Sequence, residues 1–174
     1  MKLKLWRLLT ILSVALCLGM AECHLLEMPV RLKYAPALWS QVTNIEGTYR
    51  YFAWVGAFIE LGAVLTSTVL AVFMRRRSGF GFTFTGAVST WLGQAIWWGF
   101  VKPVNDLMVH WTPTNLPNNF AALRQRWEYA HGTRAVVLFI GLAALLWSVL
   151  RETPTVSETR HEEITPEGNL HGRA

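Results

Sequence analysis

Four side chains near the end of the chain have the types and spacing for chemistry. Arg124, Trp127, His131 and Arg134 recur at i, i+3, i+7 and i+10 within LRQRWEYAHGTR, residues 123–134. At 100° per residue they fall on one narrow helical stripe, which Phe120 and Leu138 extend with an apolar residue at each end. A cation, an indole, a titratable ring and a second cation thus share one face. The imidazole can exchange a proton near neutral pH without a metal. Glu128 lies three residues before His131 and four after Arg124, within reach of either. The plainer reading is an interfacial anchor, because Arg, Trp and Tyr gather where a membrane helix meets water.

Further polar residues interrupt or border the apolar runs. Glu60 is the one charge in the run 51–74, Gln94 is the most polar side chain of the run 80–101, and His24 and Glu27 follow the first run. A carboxyl inside an apolar span is costly and marks a functional site by default. The bland alternatives are a protonated carboxyl bonded to a neighbouring helix for Glu60, a solvated ring for His24 and an interhelical hydrogen bond for Gln94.

The elements that must position these groups are long apolar helices. The chain has 174 residues, 52% of them hydrophobic and only 16% charged, below the usual ~25%. This composition implies one all-α domain with its apolar surface turned to lipid. Met1–Arg7 is basic and Leu8–Ala21 is uninterrupted and apolar. That start fits a signal peptide cut near Gly19-Met20-Ala21, or a retained helix reaching about Glu27 and stopped by Pro29. The helical pattern of ECHLLEMP favours retention. Residues 31–50 read as a polar loop with room for a short helix.

Four spans are expected at about 6–27, 51–74, 80–101 and 131–150, forming an integral membrane four-helix bundle within residues 1–151. Pro103 should end the third span, and residues 105–120 should be a loop. Gly86, Ser89 and Gly93 form a small-residue stripe suited to close helix packing. The last apolar run, 135–150, rises only about 24 Å, so its helix must begin earlier. Residues 152–174 read as a disordered tail. Lys2, Lys4, Arg7, Arg75–Arg77 and Arg151 then fall on one side, which the positive-inside rule makes cytoplasmic for both termini of a multi-pass cell-membrane protein.

The net charge of +5 is explained by topology, since the basic residues cluster at the ends of apolar runs and no nucleic-acid module is visible. Cys17 and Cys23 suit neither a disulfide framework nor a zinc site. In the expected topology every notable polar group lies in the outer half of the bundle. Glu60 is about 13 Å and Gln94 about 10 Å from the outer helix ends. They would floor a pocket that is open to the outside.

These residues resemble a family. HLLEMP (24–29), the Glu60 helix, VKPVN (101–105) and the motif R-x-R-W-x-x-x-H-x-x-R at Arg124, Arg126, Trp127, His131 and Arg134 are similar to the anthrone oxygenase-like family of small four-helix membrane proteins. The likeness covers about residues 8–150. It implies cofactor-independent oxygenation of an aromatic or phenolic molecule, with no metal. A base deprotonates an acidic benzylic carbon, the carbanion meets dioxygen, and water leaves to give a quinone. The resemblance implies His131 as base, with His24 oriented by Glu27 as the second choice. It implies Arg134 or Arg126 as the cation and Trp127 as a stacking wall. Arg124, Asn105, Glu60 and Gln94 would complete the substrate site.

Two other classes stay open. One is a non-catalytic protein, either a subunit of a larger membrane complex or a small-ligand carrier; a buried Glu60 suits a proton-coupled carrier, though four spans are few for one. A metal-dependent oxidase would use His24-x-x-Glu27 and Glu128-x-x-His131 with Glu60. In that reading the first pair is reversed relative to four-helix di-iron proteins and a fourth carboxylate is missing.

Overall fold

The computed structural model describes residues 2–43 and 48–152, and these are helical with short turns. The helices are α1 (Lys2–Arg31), α2 (Pro36–Thr43), α3 (Thr48–Met74), α4 (Phe80–Ile96), α5 (Lys102–Met108) and α6 (Phe120–Leu150). The tail expected to be disordered lies outside the described residues, apart from Glu152.

Among the described residues, three helices are long and apolar enough to cross a membrane: α1, α3 from Tyr51 onward, and α6. In each, only 28–33% of the most apolar window is buried, so large apolar side chains such as Leu12, Phe58 and Phe139 ring the exterior. The expected third span is divided. α4 has 17 residues and then passes through a π-helical turn, Trp97–Val101, into α5. Pro103 does not end this helix as expected; it stands in the first turn of α5, where its missing N–H costs no hydrogen bond.

One more boundary differs from expectation. α1 does not stop before Pro29 but carries it inside and runs to Arg31. α6 begins at Phe120, ahead of its apolar run, so the polar stretch 120–134 is helix throughout. Its charges are tolerated there because most of them find partners on other elements, as described below.

α1 packs between α3 and α6, and α4 closes the ring between the same two helices. Close approach relies on small residues. An added Cβ at Gly86 would meet Leu145 Cγ at 2.5 Å, and one at Gly141 would meet Ser89 Cβ at 2.7 Å. The small-residue stripe of α4 therefore faces α6. Hydroxyl pairs knit the helices: Ser67 with Thr90 at 2.9 Å, and Thr83 with Ser148 at 2.8 Å. Arg7 donates to Glu152 at 2.6 Å and to the Met74 sulfur at 3.2 Å. The start of α1, the end of α3 and the end of α6 thus meet at one end, and the polar site lies at the other.

Candidate functional site

The stripe read on α6 faces inward. Phe120, Trp127, His131, Arg134 and Leu138 are buried, and Arg124 is half-buried. The interfacial-anchor reading does not fit this orientation. α1 passes close to Gly132: a Cβ there would lie in ordinary contact with Leu25 at 3.4 Å and Met28 at 3.6 Å. That proximity brings His24 of α1 onto His131, with ring centroids 3.9 Å apart and planes inclined by 25°. Trp127 meets both imidazoles edge-on, at 4.4 Å from His131 and 5.2 Å from His24. Its Nε1 donates to Asn105 Oδ1 at 2.7 Å, so α5 braces the indole. The Trp127 ring is inclined to the two imidazoles by 65° and 89°, so it stacks on neither.

His131 is 5% exposed, and neither of its ring nitrogens has a hydrogen-bond partner among the described residues. It lines a cavity of about 280 Å³ together with His24, Phe52, Trp97, Asn105, Trp127 and Arg134. Glu60 forms part of the same wall. Arg134 Nη2 donates to Glu60 Oε1 at 2.6 Å, and Arg134 Nε donates to the Gly93 carbonyl at 3.1 Å. Gln94 Nε2 donates to the other Glu60 oxygen at 2.7 Å. Gln94 therefore stands behind Glu60 and does not floor the cavity as expected.

The glutamates beside the histidines serve a residue that the sequence reading missed. Arg31, 2% exposed, donates from Nε and Nη2 to the two oxygens of Glu128, at 2.9 and 2.8 Å. Its Nη1 pairs with Glu27, and its Nη2 also donates to the His24 carbonyl at 3.1 Å. Trp39 Nε1 of α2 donates to Glu128 Oε1 at 2.7 Å. Two expectations are corrected by this network. Glu27 is bound to Arg31 instead of orienting His24, and Glu128 pairs with neither His131 nor Arg124.

A signal for Arg31 did exist. His24, Glu27 and Arg31 are spaced i, i+3, i+7 on α1, mirroring the α6 stripe. Trp39, Phe52 and Trp97 carried no such signal, because single aromatic residues in apolar runs are unremarkable.

The other two arginines lie away from the cavity. Arg124 Nη1 donates to the Tyr34 carbonyl at 2.8 Å and tethers the α1–α2 turn to α6. Arg126 is exposed, donates to the Gly99 carbonyl at 2.7 Å and lies over the Phe100 ring. Arg134 is therefore the cation at the cavity, and Arg126 is not. The metal reading also loses its ligands, since both glutamates of the His/Glu pairs are held by Arg31. Among the described residues no group of three or more His, Cys, Asp or Glu is placed to hold a metal ion.

Compared with known proteins, the chain matches no family model, no curated protein and no solved structure. Fold and site thus define an all-helical protein with, among the described residues, three helices apolar enough to span a membrane and a stacked imidazole pair beside a small aromatic-walled cavity.

Proposed function

We propose that the chain is a four-helix bundle of the cell membrane, with both termini cytoplasmic. In this reading its cavity binds an acidic aromatic molecule and oxygenates it without a cofactor. The observation that carries it is His131. A buried ring nitrogen without a partner costs about 1–3 kcal/mol, and this one borders a cavity walled by Trp127, Trp97 and Phe52.

The chemistry balances with dioxygen as the oxidant. His131 takes one proton from a benzylic CH2, and the carbanion forms a C–O bond with dioxygen. The resulting peroxide anion is reprotonated, and loss of water, with cleavage of the O–O and second C–H bonds, leaves a ketone. In sum, CH2 and O2 become C=O and H2O. Arg134, at the wall of the cavity, places positive charge near the enolate oxygen that forms. Trp127 and Trp97 supply aromatic surface for the rings.

The test uses the full-length protein in phosphatidylcholine vesicles with 1,8-dihydroxyanthrone under air. Expected is anthraquinone formation above autoxidation, with one dioxygen consumed per quinone. A rate equal to the protein-free background, in a preparation that binds the anthrone, would refute catalysis and favour a small-ligand carrier.

A further inference from the structure

A second cavity, of about 630 Å³, lies between α3 and α4. Gly56, Ala57, Leu61 and Val64 wall it from α3, and Trp91 and Ala95 from α4. Leu61 and Trp91 are exposed on the outside of the molecule, so the crevice shares the apolar surroundings of the helix exteriors. Phe52, Ala53, Glu60 and Trp97 line this crevice and the His131 cavity alike. Glu60 is the polar seam between them. One oxygen faces Arg134 of the His131 cavity, and the other faces Gln94, a wall of the crevice.

We propose that the crevice is a lateral port and tail slot for a substrate dissolved in the bilayer. The aromatic head passes Phe52 and Trp97 to reach His131, while its hydrocarbon chain stays between α3 and α4. This rests on the aromatic-substrate reading above and names the class: a phenolic aromatic lipid, with a phenol or anthrone head on an alkyl or isoprenoid chain.

Three observations choose that occupant. The His131 cavity, at about 280 Å³, is at the small end for a ligand site, so it suits a head group and leaves no room for a chain. The polar groups of the crevice wall, Glu60 and Gln94, bond each other, which leaves hydrocarbon facing the interior. The small residues Ala57 and Ala95 keep the gap between the helices open. A chain leaving lipid for this slot gains little hydrophobic free energy, because lipid tails are as apolar as the slot. The crevice therefore governs the route and rate of entry more than the affinity.

The test is photolabelling of the full-length protein in phosphatidylcholine vesicles. One probe is a phenol whose fifteen-carbon chain ends in a diazirine, and the other is a short, water-soluble phenol diazirine. The long probe should label Ala57, Leu61, Trp91 and Ala95. The double substitution Ala57→Trp with Ala95→Trp should slow its labelling about tenfold or more while leaving the short probe within about twofold. Both alanines are exposed, and protection of buried Cys17 from a thiol reagent reports that the fold is kept. The map on the unsubstituted protein tests the proposal independently of that variant.

Labelling of Phe139 and Trp147 on the α6 exterior as heavily as the crevice would overturn it. So would equal crevice labelling by a diazirine phospholipid without a phenol, which would make the slot a site for ordinary acyl chains. Labelling needs no turnover. A phenol-dependent crevice map in a protein that consumes no dioxygen above background with 1,8-dihydroxyanthrone therefore refutes the oxygenase reading and leaves the port standing.

Discussion

Arg31→Met is the most demanding test of the packing around the site. Glu128 is fully buried and accepts three hydrogen bonds, two from Arg31 and one from Trp39. Removing the guanidinium leaves the indole N–H as its remaining donor. Each lost charge-assisted bond is worth about 1.5–3 kcal/mol, so the variant should lose about 3–6 kcal/mol. Breaking one partner of a buried pair elsewhere costs about 3–5 kcal/mol, which agrees. Arg31→Lys keeps the charge but loses the two-pronged geometry and should fall about midway. The double variant Arg31→Met with Glu128→Leu removes both charges. It should recover to within about 2 kcal/mol of the parent, the remainder reflecting the unpaired Trp39 N–H. Unfolding can be followed in detergent micelles under rising dodecyl sulfate through the reactivity of Cys17, which is buried, against exposed Cys23 as the internal standard. A loss below about 1 kcal/mol in Arg31→Met, or a double variant worse than the single, would refute the claim that this pair fastens α1 to α6.

His131→Gln should abolish quinone formation and leave the protection of Cys17 unchanged, whereas Glu60→Gln, which keeps one acceptor for Arg134, should slow the reaction less; equal rates in His131→Gln and the parent would remove His131 from the chemistry. Gly141→Ala pushes a methyl against Ser89 and should destabilise the α4–α6 contact by about 1–3 kcal/mol, while Gly19→Ala, with open space around it, should be neutral or slightly stabilising in the same unfolding assay. Reporter fusions at residue 174 and near residue 115 should report opposite sides of the membrane, with residue 174 cytoplasmic; an exported C-terminus would refute the proposed topology.

The α6 stripe was legible because helical periodicity alone sets which residues share a face. Which way that face turns depends on the neighbouring helices, and periodicity says nothing of them. Carboxylate partners were misread for that reason. Glu27 and Glu128 each stand three residues from a histidine, yet both went to Arg31, which offers several donors in one planar fork. Arg31 itself stands behind Pro29, which reads as a stop, although α1 carries that proline in its last turn, where it costs one backbone bond and crowds the carbonyl four residues before it. Glu60 and Gln94 were each recognisable as polar residues in apolar runs. Their pairing with each other and with Arg134 required three helices to be placed together. The division of the third span had no cue in the apolar pattern, because the π turn at Trp97–Val101 is as hydrophobic as the α-helix before it.

That turn also sets a frame for everything after it. A π turn holds about one residue more than an α turn, so it rotates the following helix by about 100° relative to an unbroken one. The bracing of Trp127 by Asn105 is therefore a matter of phase. If the same residues ran as regular α-helix from Phe80 into α5, position 105 would swing by about 100°, out of line with the indole. Gly86 and Ser89, upstream of the change, would still seat α4 against α6. Such a protein would assemble with its helices in place while the ring beside His131 lost its brace, separating the information that builds the scaffold from the information that aims the site.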